Sequence, residues 1–182
     1  MLPAGEALRL LDTAEEIHSA VVVSEAVKRV AAEISGALSG AAPLVLSVMG
    51  GAVVFTGQLL PLLRFPLEFD YIHVTRYRNA TVGGAIDWKV APKQNVEGRT
   101  VLVVDDILDE GETLAAIRDR VLEHGAKAFY SAVLADKAIG RSKPIRADFV
   151  GLTVPDRYVF GFGMDVHGAW RNLPAIYALK DH

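Results

Sequence analysis

Apolar residues recur along this chain with two periods. Between residues 13 and 39, Val22, Val23, Ala26, Val27, Val30, Ala31 and Ile34 return at helical spacing. Thr13, with Glu16 three residues on, has the form of a capping box. Ser24 offers a second cap, so the stretch reads as one helix or as two with a break near residue 23, ended by Gly36 and Gly40. Residues 43–48 form an unbroken apolar run, predicted as a strand, and residues 52–63 read as a helix. Met49-Gly50-Gly51 joins them. Residues 66–77 alternate apolar and polar positions through Leu67, Phe69, Tyr71 or Ile72, and Val74, the mark of a long strand reaching Arg76 and Tyr77. Residues 78–88, with Gly83-Gly84, read equally as a loop that closes over a site and as an ordinary hairpin.

Residues 101–105 are predicted as a buried strand, followed by a helix over 113–123 that turns Leu114, Ile117, Val121 and Leu122 inward and stops at Gly125. Residues 127–135 and 149–156 read as two more strands, residues 142–146 as a polar connection, and residues 158–182 as a small flap. Strands thus alternate with helices. The expected fold class is α/β: a doubly wound, mainly parallel sheet of about five strands with flanking helices. A single domain is expected over 1–182, its core at about 40–155 and a small hood from the chain ends, about 1–15 and 156–182.

Composition narrows the function. Of the 182 residues, 51% are hydrophobic, enough for a core of ordinary size. A net charge of −3 gives no basic stripe for nucleic acid. With no cysteine, disulfides, thiolate zinc sites and a cysteine nucleophile are excluded. Glu6 and Arg9 interrupt the apolar residues of the N-terminus, and no apolar run approaches the length that crosses a bilayer, so a soluble, cytoplasmic protein without membrane partners is expected. The five histidines show no metal spacing, and neither a P-loop nor a well-placed Gly-x-Gly-x-x-Gly is present.

The chemistry gathers at strand ends. An apolar run that stops in Asp105-Asp106 is costly unless those carboxylates meet something polar. In open α/β sheets, ligands sit at the carboxyl ends of the strands. Gly111 and Thr113 open a helix whose free N–H groups and dipole suit a phosphate monoester. Asp105 and Asp106 are then placed to accept from vicinal ribose hydroxyls, directly or through a hard divalent cation. Met49-Gly50-Gly51 and Asp136-Lys137 end neighbouring strands on the same edge. A signalling receiver domain also carries an acidic pair after a strand, but near its start, whereas about a hundred residues precede this pair.

Val103-Val-Asp-Asp-Ile-Leu-Asp-Glu-Gly-Glu-Thr113 resembles the phosphoribosyl-pyrophosphate (PRPP) signature of type I phosphoribosyltransferases. Leu134-Ala-Asp-Lys137 resembles the strand end of their hypoxanthine-guanine branch, and Asp148 to Asp156, Tyr158 to Asp165 and Trp170-Arg171-Asn172-Leu173 resemble that branch's C-terminal hood. The resemblance implies transfer of 5-phosphoribose from PRPP to N9 of hypoxanthine or guanine, giving IMP or GMP and pyrophosphate, with Mg2+ as cofactor and a homodimer or homotetramer as assembly. Transfer to xanthine, or a non-enzymatic regulator that senses PRPP or nucleotide on the same fold, are the alternatives.

It also implies roles. Asp109 would be the general base, Asp105 and Asp106 would bind the ribose, and Asp109, Glu110, Gly111, Glu112 and Thr113 would cradle the 5′-phosphate. Met49, Gly50 and Arg171 would meet the pyrophosphate, with a cis bond at Met49–Gly50. Lys137, Phe149, Val150 and Asp156 would hold the purine, with Phe149 stacking on it, and Asp105, Asp106 and Asp156 would bind metal. Arg76 and Tyr77 would lead the closing loop. Two departures stand out: Met49 replaces a lysine common among relatives, and Glu110 and Glu112 put two extra carboxylates beside the phosphate.

Overall fold

The structure, a computed structural model, describes residues 2–76 and 86–180. Its main sheet has six strands in the order β4-β3-β2-β5-β6-β7: β2 (Leu44–Met49), β3 (Glu68–Arg76), β4 (Ile86–Val90), β5 (Thr100–Leu108), β6 (Ala128–Ala138) and β7 (Phe149–Pro155). All neighbours are parallel except β3 and β4. The sixth strand, β4, comes from the region that read as loop or hairpin. It pairs antiparallel with β3, while residues 77–85 between them, Tyr77 included, lie outside the described residues.

Strand period explains how one apolar run serves two cores. Along β5, Leu102 and Val104 face a cluster with Val23, Val27, Val30 and Ile34 of α2 (Ala20–Leu38) and Phe55 and Leu59 of α3 (Val53–Leu59). Val101 and Val103 face the opposite cluster with Leu114, Ile117 and Val121 of α4 (Glu112–Glu123). Helices on both faces bury both sides of the strands, which is why these strands read as continuous apolar runs. Leu122 is a correction. It was expected inward but is 43% exposed, one residue off the stripe that α4 buries.

The N-terminal region differs from its pattern. α1 spans Ala4–Thr13, β1 spans Glu15–His18, and only then does α2 begin. Thr13 ends a helix, its hydroxyl donating to the carbonyls of Arg9 and Leu10 at 3.2 and 3.1 Å, so it is not a capping-box residue. Ser19 caps α2, its side chain accepting from Val22 N–H at 3.4 Å, and Ser24 lies inside the helix. The reason is tertiary: β1 pairs with β9 (Ile176–Ala178), which also pairs with β8 (Val159–Phe160), giving a three-stranded antiparallel sheet drawn from both ends of the chain. Trp170 Nε1 donates to the Ala7 carbonyl at 2.8 Å and ties the tail to α1.

The strand order sets the position of any site. From β2 the chain steps outward to β3, then returns to β5 on β2's other flank and proceeds to β6 and β7. The reversal between β2 and β5 opens a crevice at their carboxyl ends.

Candidate active site

Two turns meet in that crevice. After β2, the Met49–Gly50 peptide bond is cis, as the resemblance implies, and Gly51 follows it. A side chain on Gly51 would collide with the Asp106 carboxylate, and one on Gly163 would collide with the Gly51 carbonyl. The glycines let the turn, the acidic pair and the tail close on one another.

The acidic pair lies within β5, which continues to Leu108, three residues beyond the expected strand end. Asp105 is 9% exposed. Its Oδ1 accepts from the Asp106 N–H at 2.9 Å, and the Asp106 Oδ1 accepts from Ile107 N–H at 2.9 Å. Burial, and then the neighbouring Asp106 charge, pushes the Asp105 carboxyl well above the ordinary range. Burial also raises Asp106, with Arg171 pulling the other way. Two buried carboxylates with so few donors are unfavourable alone, which is the condition that ribose hydroxyls or a cation would relieve.

The extra strand length aligns Leu108 with Asp136 across β5 and β6, so that the next residues, Asp109 and Lys137, come together. Lys137 Nζ lies 2.9 Å from Asp109 Oδ2, and its side chain is only 13% exposed. This lysine is not a solvated surface residue. Beyond Asp109 the chain turns through Gly111 at φ 85°, a left-handed conformation suited to glycine, and α4 begins at Glu112. A cavity of about 220 Å³ lies here, lined by Asp105, Asp106, Asp109, Gly111 and Thr113 among others. Glu110 is turned outward to Arg141 Nη2 at 2.5 Å, and Glu112 is exposed. Neither of the two extra carboxylates lines this cavity.

Arg171 comes from the tail. Its Nη1 donates to the Gly163 carbonyl at 2.6 Å and its Nη2 pairs with Asp165 Oδ1 at 2.6 Å. The Tyr158 hydroxyl donates to the Asp165 carbonyl at 3.2 Å, and its ring is 49% exposed. Arg171 therefore brings Asp165 and Tyr158 to the site, and neither was singled out in the sequence.

Three expected residues are not brought there. Phe149 is 7% exposed, packed in the core with its ring stacked on Tyr130 at 6.4 Å between centroids. It starts β7 opposite Ala132, at the end of the strand away from the crevice. Val150 is next to it, and its carbonyl already accepts from Arg29 Nη2 at 3.2 Å. Asp156 sits exposed in the bend after β7, and among the described residues it forms no three-ligand group with Asp105 and Asp106. Stacking on Phe149, edge reading by Val150 and metal binding by Asp156 are corrected on this geometry. The missed signal was a repeat: aromatic-Val followed by Asp seven positions after the aromatic residue occurs at Phe149, Val150 and Asp156, and again at Tyr158, Val159 and Asp165.

Residues 12–167 match the phosphoribosyl transferase domain. The chain belongs to the phosphoribosyltransferase family. Relatives agree over most of their length. The hypoxanthine-guanine phosphoribosyltransferase of Streptococcus pneumoniae R6 is 34% identical over 160 residues, 87% of this chain and 89% of that protein. The hypoxanthine-guanine-xanthine phosphoribosyltransferase of Tritrichomonas foetus is 34% identical, covering 87% of each chain. The solved structure of a hypoxanthine-guanine phosphoribosyltransferase from Bacillus anthracis superposes with a TM-score of 0.86 at 30% identity, over 91% of this chain and 98% of that one. The α/β fold expected from the alternation of strands and helices is therefore the fold of this phosphoribosyltransferase. Among its described residues, no helix is long and apolar enough to cross a membrane.

Proposed function

We propose that this phosphoribosyltransferase moves 5-phosphoribose from PRPP to N9 of hypoxanthine or guanine, giving IMP or GMP and pyrophosphate, in the cytoplasm. The observation that carries this reading is the contact of Lys137 with Asp109 at the mouth of the phosphate-sized cavity. Lys137 has only donors, so it suits a purine O6 and offers nothing to accept from an adenine amino group. Asp109, one side chain away, is placed to take the proton of the attacking base. The turn from Asp109 to Thr113 would hold the 5′-phosphate by backbone N–H groups, and Asp105 and Asp106 would accept from the ribose hydroxyls.

Leaving pyrophosphate carries negative charge away from C1′. The Gly50-Gly51 backbone and Arg171 would meet it, Arg171 exchanging its present partners for phosphate oxygens. Tyr158, aromatic and half-exposed beside Asp165, is the ring that would cover the base in place of Phe149. The donor set fits Mg2+. Asp105 and Asp106 are adjacent oxygen donors with raised proton affinity, Asp165 lies across the crevice beside Arg171, and no cluster of three ligands is found among the described residues. Such a site suits an ion held mostly by substrate oxygens and water. When bound, Mg2+ would neutralise charge on the pyrophosphate.

Exposed apolar side chains support a self-assembly. Phe69 and Tyr71 of β3 are 44% and 38% exposed, and Val53 of α3 and Leu62 in the turn after it are exposed as well. This apolar flank would be the contact of a homodimer, or of each pair in a homotetramer.

The test is a steady-state assay with PRPP and Mg2+ against hypoxanthine, guanine, xanthine and adenine. IMP and GMP should form, and adenine should not react. The name of the Tritrichomonas foetus relative makes xanthine the informative competitor. Preference for adenine would overturn the role of Lys137. Bound PRPP with no product from any base would favour a nucleotide-sensing regulator.

A further inference from the structure

Lys143 lies in the connection between β6 and β7 that read from sequence only as polar. Its side chain is 11% exposed. Its ammonium donates to the Leu108 carbonyl at 2.6 Å and to Asp136 Oδ1 at 2.6 Å. These acceptors are not scattered. Leu108 and Asp136 are register partners on β5 and β6, and each immediately precedes a residue of the Asp109–Lys137 pair. The same connection rests on the phosphate turn: a Cβ on Gly111 would press on Lys143, Pro144 and Ile145 at 3.3–3.4 Å.

A buried ammonium is costly unless it is paired and hydrogen-bonded. Here the pairing spans two strand tips. On the functional reading above, on which this inference rests, the Lys137–Asp109 contact must open when a base enters, because both side chains then take new partners. The tips are then held at side-chain level by Lys143. We propose that Lys143 is a positioning residue: it fixes the Leu108–Asp109 peptide, and with it the phosphate turn, while Lys137 is released to the base. It touches neither substrate and acts through the backbone it holds.

The test compares Lys143→Met with wild type in the same assay. Loss of a charged hydrogen bond to the turn should raise KM for PRPP about tenfold, with KM for the base changed less than about twofold. Lys143→Gln keeps one neutral donor and should fall between the two. Isothermal titration with ribose 5-phosphate should show the same loss in Lys143→Met without any turnover. A lowered thermal midpoint with KM for PRPP and ribose 5-phosphate affinity unchanged would overturn the proposal and leave Lys143 a packing residue. If Lys143→Met does not accumulate folded, the Lys143→Gln titration decides alone, and unchanged affinity there overturns it. A wild type that makes no product refutes the functional reading separately, since the titration reads the brace without catalysis.

Discussion

The turn after β5 and the segment after β7 contribute in different ways to one crevice. In the first, meaning is local. Asp105, Asp106, Asp109 and Gly111 lie within seven residues, and the strand, the left-handed glycine and the start of α4 dictate where each points. In the second, meaning is long-range. Two copies of an aromatic-Val pattern with Asp seven residues on stand nine positions apart, Phe149 to Asp156 and Tyr158 to Asp165. The first copy is consumed by the sheet: Phe149 is core, stacked on Tyr130. The second is carried by the small sheet and by Arg171 to the acidic pair. A motif whose residues are fixed by one turn can be read alone, whereas a pattern spread along a strand and a tail has its meaning set by what it packs against.

The contrast can be broken most sharply at the turn. Asp109→Asn should lower kcat by about a hundred- to ten-thousandfold, as loss of a general base does, while PRPP still binds in a titration. Near wild-type turnover would remove Asp109 from the proton transfer and make the Lys137 contact a structural ion pair.

The two aromatic copies should then separate cleanly. Phe149→Ala empties a core position and should cost about 3–5 kcal/mol in denaturant unfolding, with KM for the base retained in whatever folds. Tyr158→Ala should leave stability near wild type and raise KM for the base about tenfold, the loss of one base–aromatic stack. The reverse pattern would return the base to Phe149.

The smallest effect concerns the acidic pair. Asp105 holds its proton more tightly folded than unfolded, where a carboxyl titrates near about 3.9. Its ionisation therefore opposes folding, and this contribution to stability falls as pH rises from about 4 through the raised folded value. Asp105→Asn should melt above wild type at neutral pH, with the gap closing toward pH 4 as the native acid protonates. Differential scanning calorimetry across pH checks this. A gap that does not change with pH would mean that the charge is not its cause.

Much of the fold was legible. Period-two and period-3.6 patterns located β2, β3, β5, β6, β7 and α4, because burial on both faces of a parallel sheet leaves unbroken apolar runs. The start of the chain was misread because Glu15 to His18 carry no strand pattern of their own and become β1 only by pairing with β9, at the other end of the chain. Leu122 failed for a smaller reason, the width of the stripe that α4 buries.

By itself, then, the sequence determined the layered sheet, the acidic strand end and the glycine turn after it, since each depends on spacings within a few residues and on backbone geometry that glycine and strand period impose, while the candidacy of Asp109 came from the resemblance to the phosphoribosyltransferase signature. Only the tertiary structure decided that Phe149 is core while Asp165 pairs with Arg171, how Glu110 is taken up by Arg141, and that Lys143 spans two strand tips. Those outcomes rest on relations between residues far apart in the chain, as in Arg171 of the tail acting on Asp106 of β5. No local pattern encodes which of two similar segments reaches such a partner.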